Sequence, residues 1–182
     1  MFEIERRFLV NLPVDDILHE FCSREGEKYC YDVSLITQYY LADTGSWGIR
    51  VREQSLDGGG NPRHFLTMKK SVTDAKSIEI EHLISDEIYT MMVRAEASNP
   101  IVKRRYTLSP ITEVTDWEKE SPPVWMLDEY LNPEFNGLVI LEAEMQSENY
   151  PLVLPAYIGE EVTQNSKYRN YMMFRELNKE PA

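Results

Sequence analysis

Apolar and polar residues follow a period of two, or carry strand composition, in eight stretches of the chain: Phe2 to Val10, Leu35 to Ala42, Trp47 to Glu53, His64 to Lys70, Ile78 to Ile84, Ile101 to Leu108, Val124 to Tyr130 and Leu138 to Met145. The turn-rich connections Asp43 to Ser46 and Leu56 to Pro62 are too short for crossover helices, and Thr73 to Lys76 joins two further strands in the same way, so neighbouring strands run antiparallel. Between some strands the period changes. Pro13 to Phe21 opens with acids and continues at helical spacing, Ser85 with Asp86 and Glu87 can cap a helix running toward Ala97, and Ser166 can cap a last helix ending near Leu177. Eight strands are enough to close a barrel, so the expected fold class is α+β: an eight-stranded antiparallel closed β-barrel, a tunnel, with peripheral helices. Glu118 to Pro123 reads as an exposed connector within one domain, residues 1–177, followed by a short flexible tail, 178–182.

On their polar faces these stretches sort charge by sign. Glu3 and Glu5 precede Arg7 on one face; Arg50 pairs with Arg52, Glu79 with Glu81, Lys103 with Arg105 and Glu142 with Glu144, while Lys69 follows Thr67. Like charges two residues apart lie about 7 Å from each other, which is unfavourable unless an opposite charge or an ion sits between them. If these faces turn into a barrel lumen, each ion left unpaired costs several kcal/mol, a cost no fold sustains for stability alone. Carboxylate oxygens suit Mg²⁺ or Mn²⁺, and Arg and Lys suit phosphate oxygens, so such a lumen reads as a site for metal-chelated polyphosphate. Outward positions such as Ile4, Val51, Ile80 and Leu141 would then pack under the helices. The plain alternative is a sheet whose charged face meets water through cross-strand ion pairs.

Composition narrows the partners. The 182 residues carry a formal net charge of −12, which repels extended polyanions and excludes general nucleic-acid or anionic-membrane binding. An anionic ligand must therefore be small and held locally. Cys22 and Cys30, the only cysteines, lack the spacing of a zinc or redox motif, and no apolar run is long enough for a signal peptide or membrane span; both features point to the cytoplasm.

The ordered set of short motifs resembles the CYTH superfamily, the triphosphate tunnel metalloenzymes. Glu3-Ile4-Glu5-Arg6-Arg7 is similar to that family's opening Glu-x-Glu-x-Lys signature, with Arg7 in the lysine's place. The resemblance continues through Gln38 to Leu41, Ile49 to Arg52, Leu66 to Lys69, Glu79 to Glu81, Lys103 to Tyr106, Gly137 to Glu144 and Leu154 to Thr163, and Tyr168 and Asn170 fit its closing segment. The opening octapeptide and the Leu-Pro-Ala-x-x-Gly-x-Glu-Val-Thr segment look most like the bacterial inorganic triphosphatase branch.

The resemblance implies metal-dependent hydrolysis of inorganic triphosphate in an eight-stranded tunnel, by a monomer or homodimer that takes Mg²⁺ or Mn²⁺. It places Glu3, Glu142 and Glu144 on a first metal and Glu5 with Glu81 on a second, with Glu5 orienting or deprotonating the attacking water. Arg7, Arg50, Arg52, Lys69 and Arg105 would hold phosphate oxygens, Glu79 would ligate or pair across the barrel, and Lys103 and Lys167 would guide substrate at the rim. Tyr40, Tyr106 and Tyr168 read as wall residues, His19 and His64 as helix-surface and loop-edge positions, and His82 as part of an apolar face. Three departures from the family pattern bear on the site: Arg7 cannot act as an acid or base, and Leu83 and Met126 stand where acids are common. The same scaffold also serves class IV adenylate cyclases and thiamine or nucleoside triphosphatases, and a noncatalytic polyphosphate-binding module is a further reading.

Overall fold

The computed structural model describes residues 1–23, 29–44, 46–57, 59–96, 98–110, 122–154 and 157–179. In chain order the elements are β1 (Phe2–Val10), α1 (Val14–Ser23), β2 (Tyr29–Asp43), β3 (Gly48–Leu56), β4 (Arg63–Ser71), β5 (Lys76–Ile84), α2 (Asp86–Arg94), β6 (Ile101–Pro110), β7 (Val124–Tyr130), β8 (Val139–Met145), β9 (Ile158–Glu161) and α3 (Asn170–Leu177). All strand pairings are antiparallel, in the order β5-β4-β3-β2-β6-β7-β8-β1. β1 then pairs with β5, Phe2 opposite Ile78 and Glu3 opposite Ser77, which closes the barrel of eight; β9 adds to β1 outside that ring.

Register brings charges of opposite sign face to face. Lys69 lies opposite Glu79, Arg7 opposite Glu142 and Arg105 opposite Asp128, pairings that favour this alignment over a one-residue slip. One pair is the reverse: Glu5 lies directly opposite Glu144.

The apolar faces point outward under the helices. α1 buries Ile17, Leu18 and Phe21 against Phe8, Leu108, Trp125, Leu127 and Leu141, with the Phe21 and Trp125 rings 5.9 Å apart. α3 does something different. Its Met173 and Phe174 pack on Ile101, Tyr130 and Ile140, which share faces with Lys103, Asp128 and Glu142, so this helix stoppers one end of the barrel with an apolar layer. α2 is capped by the Ser85 hydroxyl, which accepts the Ile88 N–H at 3.3 Å, and it lies over β3 and β4.

Several sequence expectations need correction. Ile80 is 37% exposed, because α2 covers β3 and β4 and leaves this part of the β5 outer face bare; His82 is exposed for the same reason. His64 is no loop-edge residue: it is buried in β4, its ring nitrogens 3.0 Å from Glu53 Oε2 and 2.9 Å from Asp86 Oδ1, and it stacks on Tyr89. Ser166 opens a 3-10 turn, Ser166–Tyr168, and α3 starts only at Asn170. β2 begins six residues before the expected Leu35, and β9 was not foreseen. Of the expected tail, Asn178 is held by hydrogen bonds to the Asn99 backbone, while residues 180–182 lie outside the described residues, as do Ala97 and 111–121, which include most of the expected connector.

Candidate active site

The polar faces of β1, β3, β4, β5, β6 and β8 converge on one cavity of about 770 Å³. Its lining includes Glu3, Glu5 and Arg7 from β1, Arg50 and Arg52 from β3, Lys69 from β4, Glu79 and Glu81 from β5, Lys103 and Arg105 from β6, and Glu142 and Glu144 from β8. The alternation of each strand places them there, since residues two apart share a face. Lys167 is not in the lining; it sits exposed on the turn before α3, its ammonium 5.6 Å from the Tyr168 ring centre.

The wall built by β6, β7 and β8 is tightly neutralised. Asp128, with no exposed surface, accepts from Arg105 Nε and Nη2 at 2.6 Å each and from the Lys103 ammonium, and Arg105 Nη2 also donates to Glu142 at 2.7 Å. Burial works to raise the Asp128 carboxyl, yet the charges and hydrogen bonds of Arg105 and Lys103 outweigh it and hold the group at about 2. Burial, then the adjacent Arg105 charge, lower Lys103 to about 8.

Across the lumen, on β1, β4, β5 and the end of β8, acids outnumber their partners. The Lys69 ammonium donates to Glu3, donates to Glu5 at 3.3 Å and lies 3.4 Å from Glu79. Arg7 also donates to Glu5, and its Nε is 3.5 Å from Glu142. Arg52 Nη2 donates to both oxygens of Glu81 at 3.0 Å, joined by the Thr67 hydroxyl at 2.8 Å, and Arg50 Nη2 is 3.6 Å from Glu79. Glu144 has no ion-pair partner among the described residues. Burial raises Glu5 less than Lys69, Arg7 and Arg105 lower it, so that carboxyl stays well below the usual range. Glu3 and Glu144 shift the other way, raised by burial and by neighbouring carboxylates.

The chemistry of this donor set fits a hard divalent cation: every candidate ligand is a carboxylate oxygen, and Glu144, raised first by burial and then by Glu3 and Glu5, stands directly opposite Glu5, a like-charge pair that an added cation relieves. Among the described residues, however, no three acidic, imidazole or thiol side chains converge on a single point. Guanidinium nitrogens show a complementary need. Among the described residues, Arg7 Nη1, Arg50 Nε and Arg52 Nε are buried without a hydrogen-bond acceptor, and buried donors of this kind call for an anion.

Sequence reasoning missed Asp128, which shares a face with Met126 and Tyr130; the period of two was the available signal. It also missed Arg169 and Arg175, which line the cavity from the α3 side, Arg169 reaching Asp74 at 2.7 Å. Behind β1, the Arg7 N–H donates to Thr163 Oγ at 3.0 Å and that hydroxyl donates to Glu161 at 2.8 Å, which fixes the strand where Arg7 leaves it.

No family model matches the chain. It is 31% identical over 169 residues to the inorganic triphosphatase of Acetivibrio thermocellus, covering 92% of this chain and 90% of that one. To the inorganic triphosphatase of Nitrosomonas europaea it is 27% identical over 172 residues, covering 93% and 95%. The crystal structure of an inorganic triphosphatase superposes over 99% of this chain and 97% of that one with a TM-score of 0.53 at 24% identity, a likeness of fold.

Proposed function

The chain belongs to the inorganic triphosphatase family, and from that premise we propose that it hydrolyses inorganic triphosphate to pyrophosphate and phosphate inside the charged tunnel. The observation that carries this reading is the cavity itself: cationic donors, three of their guanidinium nitrogens unsatisfied among the described residues, face a bed of carboxylates in one cavity. Arg7, Arg50, Arg52, Lys69 and Arg105 bind the nonbridging oxygens, and Lys103 adds charge at the same wall. Glu3, Glu142 and Glu144 would hold one Mg²⁺ or Mn²⁺ ion and Glu5 with Glu81 a second, while Glu79 balances Arg50 and Lys69. A bound divalent ion supplies charge neutralisation at the phosphates and Lewis acidity toward the attacking water.

Glu5 orients that water. Its buried carboxylate accepts hydrogen bonds from Lys69 and Arg7 and offers an acceptor that can align or deprotonate the water. Arg7 stays charged throughout and serves binding alone. Positioning and charge compensation dominate because the loose phosphoryl transition state asks little covalent chemistry of the protein. The reading carries with it a single domain working in the cytoplasm; no helix among the described residues is long and apolar enough to cross a membrane.

The test is to incubate the purified protein with Mg²⁺ or Mn²⁺ and, separately, tripolyphosphate, ATP or thiamine triphosphate, and to identify the products by ³¹P NMR. Pyrophosphate and phosphate from tripolyphosphate, formed faster than any product of the other two, are expected. A cyclic nucleotide from ATP, or binding of tripolyphosphate without turnover, overturns the proposal.

A further inference from the structure

Lys69 occupies a particular place. Its ammonium donates to Glu3 and Glu5 and stands 3.4 Å from a Glu79 oxygen, so one side-chain cation serves three carboxylates contributed by two strands. No three acids converge on a point of their own among the described residues, and Glu144 opposite Glu5 is left without a partner. The acids near Lys69 are thus wrapped around a charge that the protein supplies itself.

We propose that Lys69 is a resident stand-in cation that couples metal binding to triphosphate binding: the anion draws the ammonium out of the carboxylate bed, and the vacated oxygens then accept the divalent ion. The proposal rests on the triphosphatase reading for the identity of the anion.

Three observations support it. First, Lys69 sits on β4 between Thr67 and Ser71 on the lumen face, and its four-carbon stem with a freely rotating ammonium can exchange a carboxylate for a phosphate oxygen without backbone movement. Second, the anion offers more than attraction. Arg50, in the lining beside Lys69 and with its Nε unsatisfied, draws phosphate oxygens to the same region. Third, removing Lys69 with no replacement would leave Glu3 without its ammonium partner and Glu5 with Arg7 as its one remaining cationic donor opposite Glu144, so its departure and the arrival of another cation favour each other. Two ligands that assist each other must do so reciprocally: anion tightens metal and metal tightens anion by the same factor, here about tenfold or more.

The experiment measures binding, so it does not depend on turnover. Mn²⁺ affinity is titrated by electron paramagnetic resonance with and without a methylene-bridged, nonhydrolysable triphosphate, in the wild-type chain, in Lys69→Met and in Lys76→Met. Lys76→Met controls for loss of one positive charge at the cavity without contact to these acids. In the wild type the analogue is expected to tighten Mn²⁺ binding about tenfold or more. In Lys69→Met, Mn²⁺ alone is expected to bind more tightly than to the wild type, and the analogue to add about threefold or less. Unchanged coupling in Lys69→Met, or equal tightening of Mn²⁺ alone in both variants, overturns the proposal: the first assigns the coupling to direct chelation of metal by phosphate, the second to bulk charge.

A measurement on the wild-type chain keeps the idea open to refutation if Lys69→Met does not fold. The Lys69 side-chain nitrogen resonance should move on adding the analogue in the absence of metal. An unmoved signal under saturating analogue overturns the proposal. Failure of either measurement leaves tripolyphosphate hydrolysis standing, whereas absence of hydrolysis with the coupling intact strikes the functional reading alone.

Discussion

The two walls of the tunnel are built from the same residue types and behave differently. On β6, β7 and the Glu142 part of β8 the charges have close partners, and the centre of the group, Asp128, sees no solvent. On β1, β4 and β5 one ammonium is shared among three carboxylates, and Glu144 at the end of β8 lies against Glu5 with no ion-pair partner among the described residues. A balanced wall is a scaffold that holds its cations in fixed positions before substrate arrives, so little ordering remains to be done on binding. A wall with surplus acid stores repulsion that a bound cation relieves. The difference separates what the fold needs from what a ligand is needed for.

The strongest way to break this contrast is at the balanced wall. Asp128→Asn removes the counter-charge of the buried Lys103 and one of the two carboxylates on Arg105, and taking away one member of such a group costs about 3–5 kcal/mol. For a chain of this size that corresponds to a fall in melting temperature on the order of 10 °C. A fall of less than about 3 °C in a thermal scan would mean that Lys103 and Arg105 find other partners and that this wall is not the rigid one.

At the acid-rich wall the first effect should be on rate. Glu5→Gln keeps the shape and one acceptor oxygen but loses the charge proposed to orient the water, and turnover of tripolyphosphate at saturation is expected to fall about a hundredfold or more. The measurement needs circular dichroism alongside, since Glu5 is buried with Arg7. Full retention of turnover would remove Glu5 from the reaction.

How much of this could be seen in the residues alone depends on whether the signal is periodic. Twelve lumen charges were legible because each sits in a run where charged and apolar positions alternate; the bounds of β1 were legible for the same reason, and those of β7 from its strand composition. Asp128 was hidden because β7 reads Val-Trp-Met-Leu-Asp-Glu-Tyr: Met126 and Tyr130 make its lumen face look apolar, and the adjacent Asp128 and Glu129 look like one acidic spot although they face opposite ways. Arg169 and Arg175 were illegible for another reason. They come from the α3 region, and helical spacing says which residues share a face without saying what that face meets. β9 is four residues with a glycine, Gly159, in it, and is defined by its neighbour: a Cβ there would lie 2.8 Å from the Leu9 carbonyl oxygen, so close packing on β1, not strand propensity, chose the residue.

A smaller effect, of opposite sign, sharpens the comparison. The Glu144 carboxyl is raised in the folded chain, first by burial and then by Glu3 and Glu5, so the native state binds more protons there than the unfolded state; its contribution to stability is therefore favourable at low pH and is lost as pH rises through the raised value. Asp128 has the reverse sign: depressed to about 2, it contributes stability that is present above the ordinary carboxylate range and is lost as pH falls toward that value. Glu144→Gln removes the like-charge opposition to Glu5 and is expected to raise the melting temperature near neutral pH by about 1–2 °C while weakening Mn²⁺ binding. Denaturant midpoints followed from acid to neutral pH should show the variant gaining over the wild type toward neutral pH and both losing stability together in strong acid. A variant less stable than the wild type at neutral pH would show that Glu144 is paired after all.

The least expected change tests which way the strands face. Arg104 and Arg105 are adjacent on β6, and the alternation that turns Arg105 into the lumen turns Arg104 to the outside, where its Nη1 lies 2.8 Å from Glu129 Oε2 and its side chain is 43% exposed. An ion pair so well solvated is worth under about 1 kcal/mol, because water and salt screen it and two long side chains must be ordered to form it. Arg104→Ala should therefore shift the melting temperature by only about 1–3 °C and leave tripolyphosphate turnover within about twofold, whereas Arg105→Ala strips Asp128 and Glu142 of a shared partner and should lose both stability and turnover. Equal losses from these two neighbours would mean that the charge on this strand does not sort by face, and the contrast between a neutralised wall and an acid-rich one would lose its geometric basis.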